Sequence, residues 1–192
     1  LQSVILGIGL NRGVASTEDE WNGPGAVEVD GVLLPCAGGQ QGVTTLGEAY
    51  VSACPAPFRL LAERIGQEAL LAGLADFGLL SPPTFALPTA GADVAAAVAQ
   101  QNPSALGTGQ GSLPVSPLQM ALVAAASADN GRIPPLHIVA AERAPGGQWQ
   151  PVDPDSSPRG TISPGHVDLL SELMQAAADE GAAAAAGGGQ GR

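Results

Sequence analysis

The sequence has no lysine, and all seven of its basic residues are arginine. Against them stand 18 Asp and Glu, for a formal charge of −11. A chain this acidic is a poor partner for nucleic acid, whose phosphates need basic groups, and for anionic lipid. Aromatic residues make up only 3%. Its two cysteines, Cys36 and Cys54, are too few for a disulfide scaffold. They are either two small thiols without a role or one bridge closing a loop of about 18 residues, worth ~3 kcal/mol in the chain-entropy model. Such a bridge needs an oxidising compartment. No run approaches the ~18 apolar residues of a membrane span, and no basic leader segment is present. His137 and His166 are far apart in sequence, so neither a metal site nor a cofactor is expected.

What is abundant is Ala, Gly and Pro, in one domain's length of 192 residues. The clearest local signals lie between Gly107 and Gly131. Ser116 can cap a helix, Pro117 suits its first position, and Gln119 falls where a capping box wants Glu or Gln. Leu118 to Ala128 is then nearly all apolar, which predicts a central buried helix ended by Asn130-Gly131. Thr108, Gly109, Gln110 and Gly111 precede it and read as a tight, cleft-lining turn.

Elsewhere, Leu1 to Leu10 reads as the end of a helix, and residues 14–43 as an irregular excursion with one short strand. Its Glu18-Asp19-Glu20 cluster is a solvated loop or a site for a cation or cationic partner. Thr45 and Glu48 form a second capping box, opening a helix toward Ala53 that Pro55 and Pro57 interrupt. From Phe58 to Leu74 the apolar period is helical. Ala92 to Gln100 reads as an Ala-rich helix ended by Asn102-Pro103. Leu136–Ala140 and Gln148–Val152 predict a hairpin. Ser163-Pro164 starts a last helix, with Val167, Leu169, Leu170, Leu173, Met174 and Ala177 as its buried face. The isolated Trp21 and Trp149 are half-buried packing residues or partner anchors. Residues 1–180 are expected to form the domain and 181–192 a low-complexity Ala/Gly tail.

The run Gly109-Gln110-Gly111, Leu113, Val115-Ser116-Pro117-Leu118-Gln119-Met120-Ala121, Asn130-Gly131 and Pro134-Pro135 resembles a segment of penicillin-binding protein transpeptidase domains. Gly42 to Tyr50, Cys54 to Phe58, Ile65-Gly66 and Phe77-Gly78-Leu79 extend the resemblance over roughly residues 1 to 180. It implies an α-rich α+β fold: the helical middle of that domain, with little sheet. The implied reaction is acyl transfer, in which a serine attacks the D-Ala-D-Ala carbonyl of a peptidoglycan stem peptide and is trapped by penicillin. A serine hydroxyl needs a base to take its proton, and a lysine of lowered pKa is a candidate.

The family carries three motifs, Ser-x-x-Lys, Ser-x-Asn and Lys-[Ser/Thr]-Gly. Without lysine this chain has neither the first nor the third. Aligned on Phe58, the middle motif's Ser and Asn fall on Ala53 and Pro55; shifted by one residue, they fall on Ser52 and Cys54. Alanine has no proton to relay, and proline no side-chain amide. Counting back from Gly13 places the first motif's lysine near Gln2, and Gly188 to Gly191 is either a relic of the third motif or a plain glycine tail.

Three readings follow. The first is a non-catalytic, transpeptidase-like pseudoenzyme with a structural or interaction role in the bacterial cell envelope, its export signal or anchor outside this chain and a protein or parent-complex subunit its partner. The second is a fragment of an active D,D-transpeptidase whose catalytic Ser and Lys lie outside the chain, taking peptidoglycan peptide or β-lactam. The third is an unrelated helical subunit of a larger assembly.

Overall fold

Helix α1 (Gln2–Asn11) is enclosed on every side, with Val4 to Leu10 all buried. The computed structural model describes residues 1–37, 42–84, 87–89, 93–153 and 157–184. Small residues at the contacts let neighbours close on α1. A Cβ at Gly7 would lie 2.6 Å from Ile162 Cδ1, and one at Gly9 would lie 2.9 Å from Leu61 Cδ1. Around α1 stand α3 (Pro55–Ile65), α4 (Gln67–Asp76), α6 (Pro103–Thr108) and α8 (Pro164–Asp179). Phe58 and Leu61 of α3, Leu70 and Leu74 of α4, Leu106 of α6 and Val167 and Leu170 of α8 complete one apolar core.

The architecture is the expected α-rich α+β fold with little sheet, but its centre is elsewhere. Helix α7 (Pro117–Ala128) buries only Gln119, Val123 and Ala126. Its remaining apolar positions are mostly alanine, whose small area gives little drive to burial, whereas α1 carries Val, Ile and Leu. The N-terminal reading of α7 holds: Ser116 Oγ accepts from Gln119 N, and Gln119 Oε1 accepts from Ser116 N.

Helix α2 (Leu46–Val51) begins at the predicted capping box, with Thr45 Oγ1 accepting from Glu48 N and Glu48 Oε2 from Thr45 N. Helix α3 starts at Pro55, not at Phe58. Proline suits the first turn of a helix, where N–H groups have no intrahelical acceptor, so Pro55 and Pro57, expected only to interrupt α2, open α3 after α2 has ended at Val51. The Ala-rich helix shrinks to α5 (Ala95–Val98), and Ala92 lies outside the described residues. Asn102-Pro103 opens α6, the Asn102 side chain accepting from Ser104 N at 2.9 Å.

Strand pairing is richer than expected. The excursion holds β1 (Glu20–Gly23), β2 (Ala26–Val29), β3 (Val32–Pro35) and β4 (Gly42–Thr45) in place of one strand. β1 pairs antiparallel with β4, and β2 with β3. The β2–β3 turn is Asp30-Gly31, both at positive φ, as a two-residue hairpin requires. Further on, β5 (Arg132–Ile133) pairs with β8 (Arg159–Gly160), a contact with no pattern in the sequence. The expected hairpin forms, but its ladder sits nearer the turn, β6 (Ala141–Glu142) against β7 (Gln150–Pro151). Ile138 and Val139 are left exposed. Trp149 is 64% exposed under the Arg143 guanidinium, while Trp21 is half-buried. Met174, expected on the buried face of α8, faces solvent.

Candidate functional site

Two of the family-like segments, those ending at Tyr50 and beginning at Gly109, meet at the first turn of α1. Ser3 Oγ lies 2.7 Å from Tyr50 OH, tying that turn to the end of α2. On its other side, a Cβ at Gly109 would touch Leu1 Cδ2 at 3.9 Å, which places the end of α6 against the same turn.

Local chemistry fixes the Ser52-Ala53-Cys54-Pro55 loop. Ser52 caps α2, and its hydroxyl donates to Glu48 O at 2.8 Å. Ala53 N donates to Tyr50 O at 3.1 Å and Cys54 N to Ala49 O at 2.8 Å, closing the helix end. Ala53 takes a left-handed conformation, φ +50°, which for a side chain with Cβ costs about 1–2 kcal/mol. Cys54 is extended, as the residue before a proline must be, and Pro55 starts α3. Cys54 is bonded to Cys36, which fastens the loop to the strand-rich excursion.

Thr108 to Gly111 is the C-terminal cap of a helix instead of a free glycine turn. Thr108 Oγ1 donates to Ser104 O, Gly109 is left-handed at φ +80°, and Gln110 N and Gly111 N both donate to Ala105 O. Gln110 and Gly111 line a cavity of about 660 Å³ with Asp30, Gln101 and Asn102. Gln101 spans one edge of it, exchanging two hydrogen bonds with the Ser112 backbone.

Acid–base capacity at the α1 turn is small. Burial raises the Tyr50 pKa, only partly offset by the hydrogen bond shared with Ser3, which favours the neutral phenol. Serine hydroxyls are present, but Ser52 is held by helix carbonyls and Ser3 by Tyr50. No described residue can act as the family's amine base, since lysine is absent. Ser163 Oγ does approach His166 Nδ1 at 2.9 Å, a contact signalled only by the spacing Ser-x-x-His. It sits at the exposed start of α8, with no carboxylate hydrogen-bonded to the histidine among the described residues. Among the described residues no three His, Cys, Asp or Glu side chains could share a metal.

One residue does more than its sequence pattern suggests. Gln119, read as a capping residue, is buried, and its Nε2 donates to Gly78 O at 2.9 Å and Ser81 O at 3.1 Å. The family-like Phe77-Gly78-Leu79 turn is thereby stapled to α7.

Comparison with solved structures gives the same fold. The D,D-transpeptidase domain of a peptidoglycan glycosyltransferase from Eggerthella lenta is 21% identical, with a TM-score of 0.75 over 94% of this chain and 48% of that one. PBPA from Mycobacterium tuberculosis is 26% identical, with a TM-score of 0.75 over 92% of this chain and 42% of that one. A peptidoglycan synthetase from Bifidobacterium adolescentis is 16% identical, with a TM-score of 0.77 over 93% and 34%. The chain thus spans between a third and a half of these neighbours. No curated protein matches it. The family described as "Penicillin binding protein transpeptidase domain" matches residues 3–191, and the chain belongs to that family.

Proposed function

We propose that this chain is a non-catalytic transpeptidase-like domain with a structural or interaction role in the bacterial cell envelope. The observation that carries the reading is the middle-motif loop. Ala53 and Pro55 stand where the family places Ser and Asn, inside a loop whose helix cap, left-handed residue and proline start are all formed. Aligned on Phe58 these positions hold no proton relay and no side-chain amide, and in the register shifted by one residue Ser52 supplies a hydroxyl but Cys54 replaces the amide. The Cys36–Cys54 bridge supports an extracytoplasmic location, because such bonds persist in oxidising compartments. Residues 1–180 are taken as the domain, and the expected partner is a protein.

The test is fluorescent penicillin applied to the full-length protein and read on a denaturing gel. No covalent label is expected, although a neighbouring structure of penicillin-binding protein A from Mycobacterium tuberculosis is an imipenem acyl-enzyme complex. A second reading, part of an active D,D-transpeptidase, is favoured by the chain's short span of its neighbours. It predicts Ser-x-x-Lys immediately before Leu1, Lys-[Ser/Thr]-Gly soon after Arg192, and a labelled band. The possible third-motif relic at residues 188–191 lies outside the described residues.

A further inference from the structure

A groove of about 880 Å³ runs between α2 and α8. None of its lining residues belongs to α1 or α6, so it lies apart from the turn where the two family-like segments meet and shares only Ser52 with the middle-motif loop. Its floor is apolar, with Val51, Leu169 and Leu173 each half-buried. Glu18, Glu48, Glu172 and Glu180 stand on its walls, and no basic residue lines it.

The groove is a constructed feature of the fold. Gly47 lets α2 approach α8, since a Cβ there would already lie 3.4 Å from Leu173 Cδ2 and 3.3 Å from Thr17 O. Ala182 N donates to Val51 O at 3.0 Å, fixing the chain after α8 along one end. None of the three ion pairs among the described residues involves a groove carboxylate. Glu48 is held ionised by the Thr45 backbone N–H and then by the Thr44 hydroxyl. Four like charges around an apolar floor repel one another and oppose an anionic or wholly apolar occupant.

We propose that this groove docks a partner protein through a short extended segment that carries an apolar side chain between two arginines or lysines. The proposal rests on the interaction role argued above and gives it a surface. Charge selects the cationic ends and the floor selects the apolar middle. Spacing follows from geometry. Glu172 lies on α8 and Glu180 caps its end, eight residues on, roughly 12 Å at helical rise. An extended strand covers that in about four residues, so the cations belong at positions i and i+4.

The probe is fluorescein-labelled Gly-Arg-Ala-Leu-Ala-Arg-Gly, titrated against the full-length protein by anisotropy at physiological salt. Saturable binding is expected, weakened about tenfold by Glu172→Gln with Glu180→Gln, two surface pairs being lost. Leu173→Ser and a probe with alanine in place of leucine should each weaken it severalfold. Glu68→Gln with Asp168→Asn, which removes two exposed carboxylates outside the groove, should leave it unchanged. No saturable binding overturns the proposal, and so does equal weakening by the two double variants, which would mean diffuse surface charge. Fluorescent penicillin reports separately on the catalytic reading: failed peptide binding without a penicillin adduct removes the groove and leaves the pseudoenzyme standing.

Discussion

Ala53 holds a backbone conformation that alanine disfavours, in the loop that leads into α3. Glycine reaches that conformation without a Cβ penalty, although it loses more chain entropy on folding. Ala53→Gly is therefore expected to stabilise the protein by up to about 1 kcal/mol, read as a higher midpoint in urea. An unchanged or lower midpoint would mean that the loop bears no strain. Gln119 offers a sharper residue test. Glutamate keeps the capping oxygen but turns a carboxylate toward Gly78 O and Ser81 O, where only donors fit. Gln119→Glu should cost about 1–3 kcal/mol in urea unfolding near neutral pH, more than Ser116→Ala, which removes only the cap at about 1 kcal/mol. Equal losses would show that the tie to the Phe77–Ser81 turn carries no energy. The sequence revealed the cap because it is local, but the tie spans 41 residues and leaves no pattern.

At the scale of elements, the closest helix contact is α3 on α6. A Cβ at Gly107 would collide with Ala62 Cβ and lie 2.7 Å from Phe58 O, neither a flexible side-chain end. Gly107→Ala should therefore destabilise by about 1–3 kcal/mol in thermal or urea melts, despite alanine's better helix propensity. The same change at Gly165, which has open space around it, should be neutral or stabilising. The α2 cap gives a pH dependence. Hydrogen bonds from the Thr45 backbone and the Thr44 hydroxyl lower the Glu48 pKa. A lowered carboxylate pKa means that the cap's contribution is complete above the unfolded glutamate value of about 4.3 and fades as pH falls through the lower folded value. Amide exchange at Leu46 to Glu48 should accelerate, relative to α3, only below about pH 4. Exchange that rises equally in both helices would deny the cap this role.

Element starts were legible where a side chain announces them: Thr45, Ser116 and the Ser163-Pro164 pair all mark real helix starts. Pro55 and Pro103 follow the ends of helices, as the sequence suggests, yet each also starts the next one, because a residue that breaks a helix interior is at home in its first turn. The β2–β3 hairpin had a signal, Asp30-Gly31 flanked by Val27, Val29, Val32 and Leu34, that four-residue strands made easy to overlook. The β5–β8 pair had none, since two-residue strands have no period. The centre of the fold was misplaced for a different reason. Continuous apolarity in α7 suggested burial, but alanine covers too little area to compete with the Val, Ile and Leu of α1.

For the whole molecule, a helical core formed by α1, α3, α4, α6 and α8 carries a Ser52–Pro55 loop held by its own helix cap and proline start. The comparisons match nearly the whole chain: residues 3–191 against the family and 92% of it against PBPA. Among the described residues no helix is long and apolar enough to cross a membrane.

Intact-mass spectrometry of the full-length protein after incubation with excess penicillin G tests the account most directly. One unmodified mass, identical to that of the untreated protein, is expected. A species heavier by one penicilloyl group would contradict it, showing that a nucleophile and its base still meet beside the Ala53–Pro55 loop.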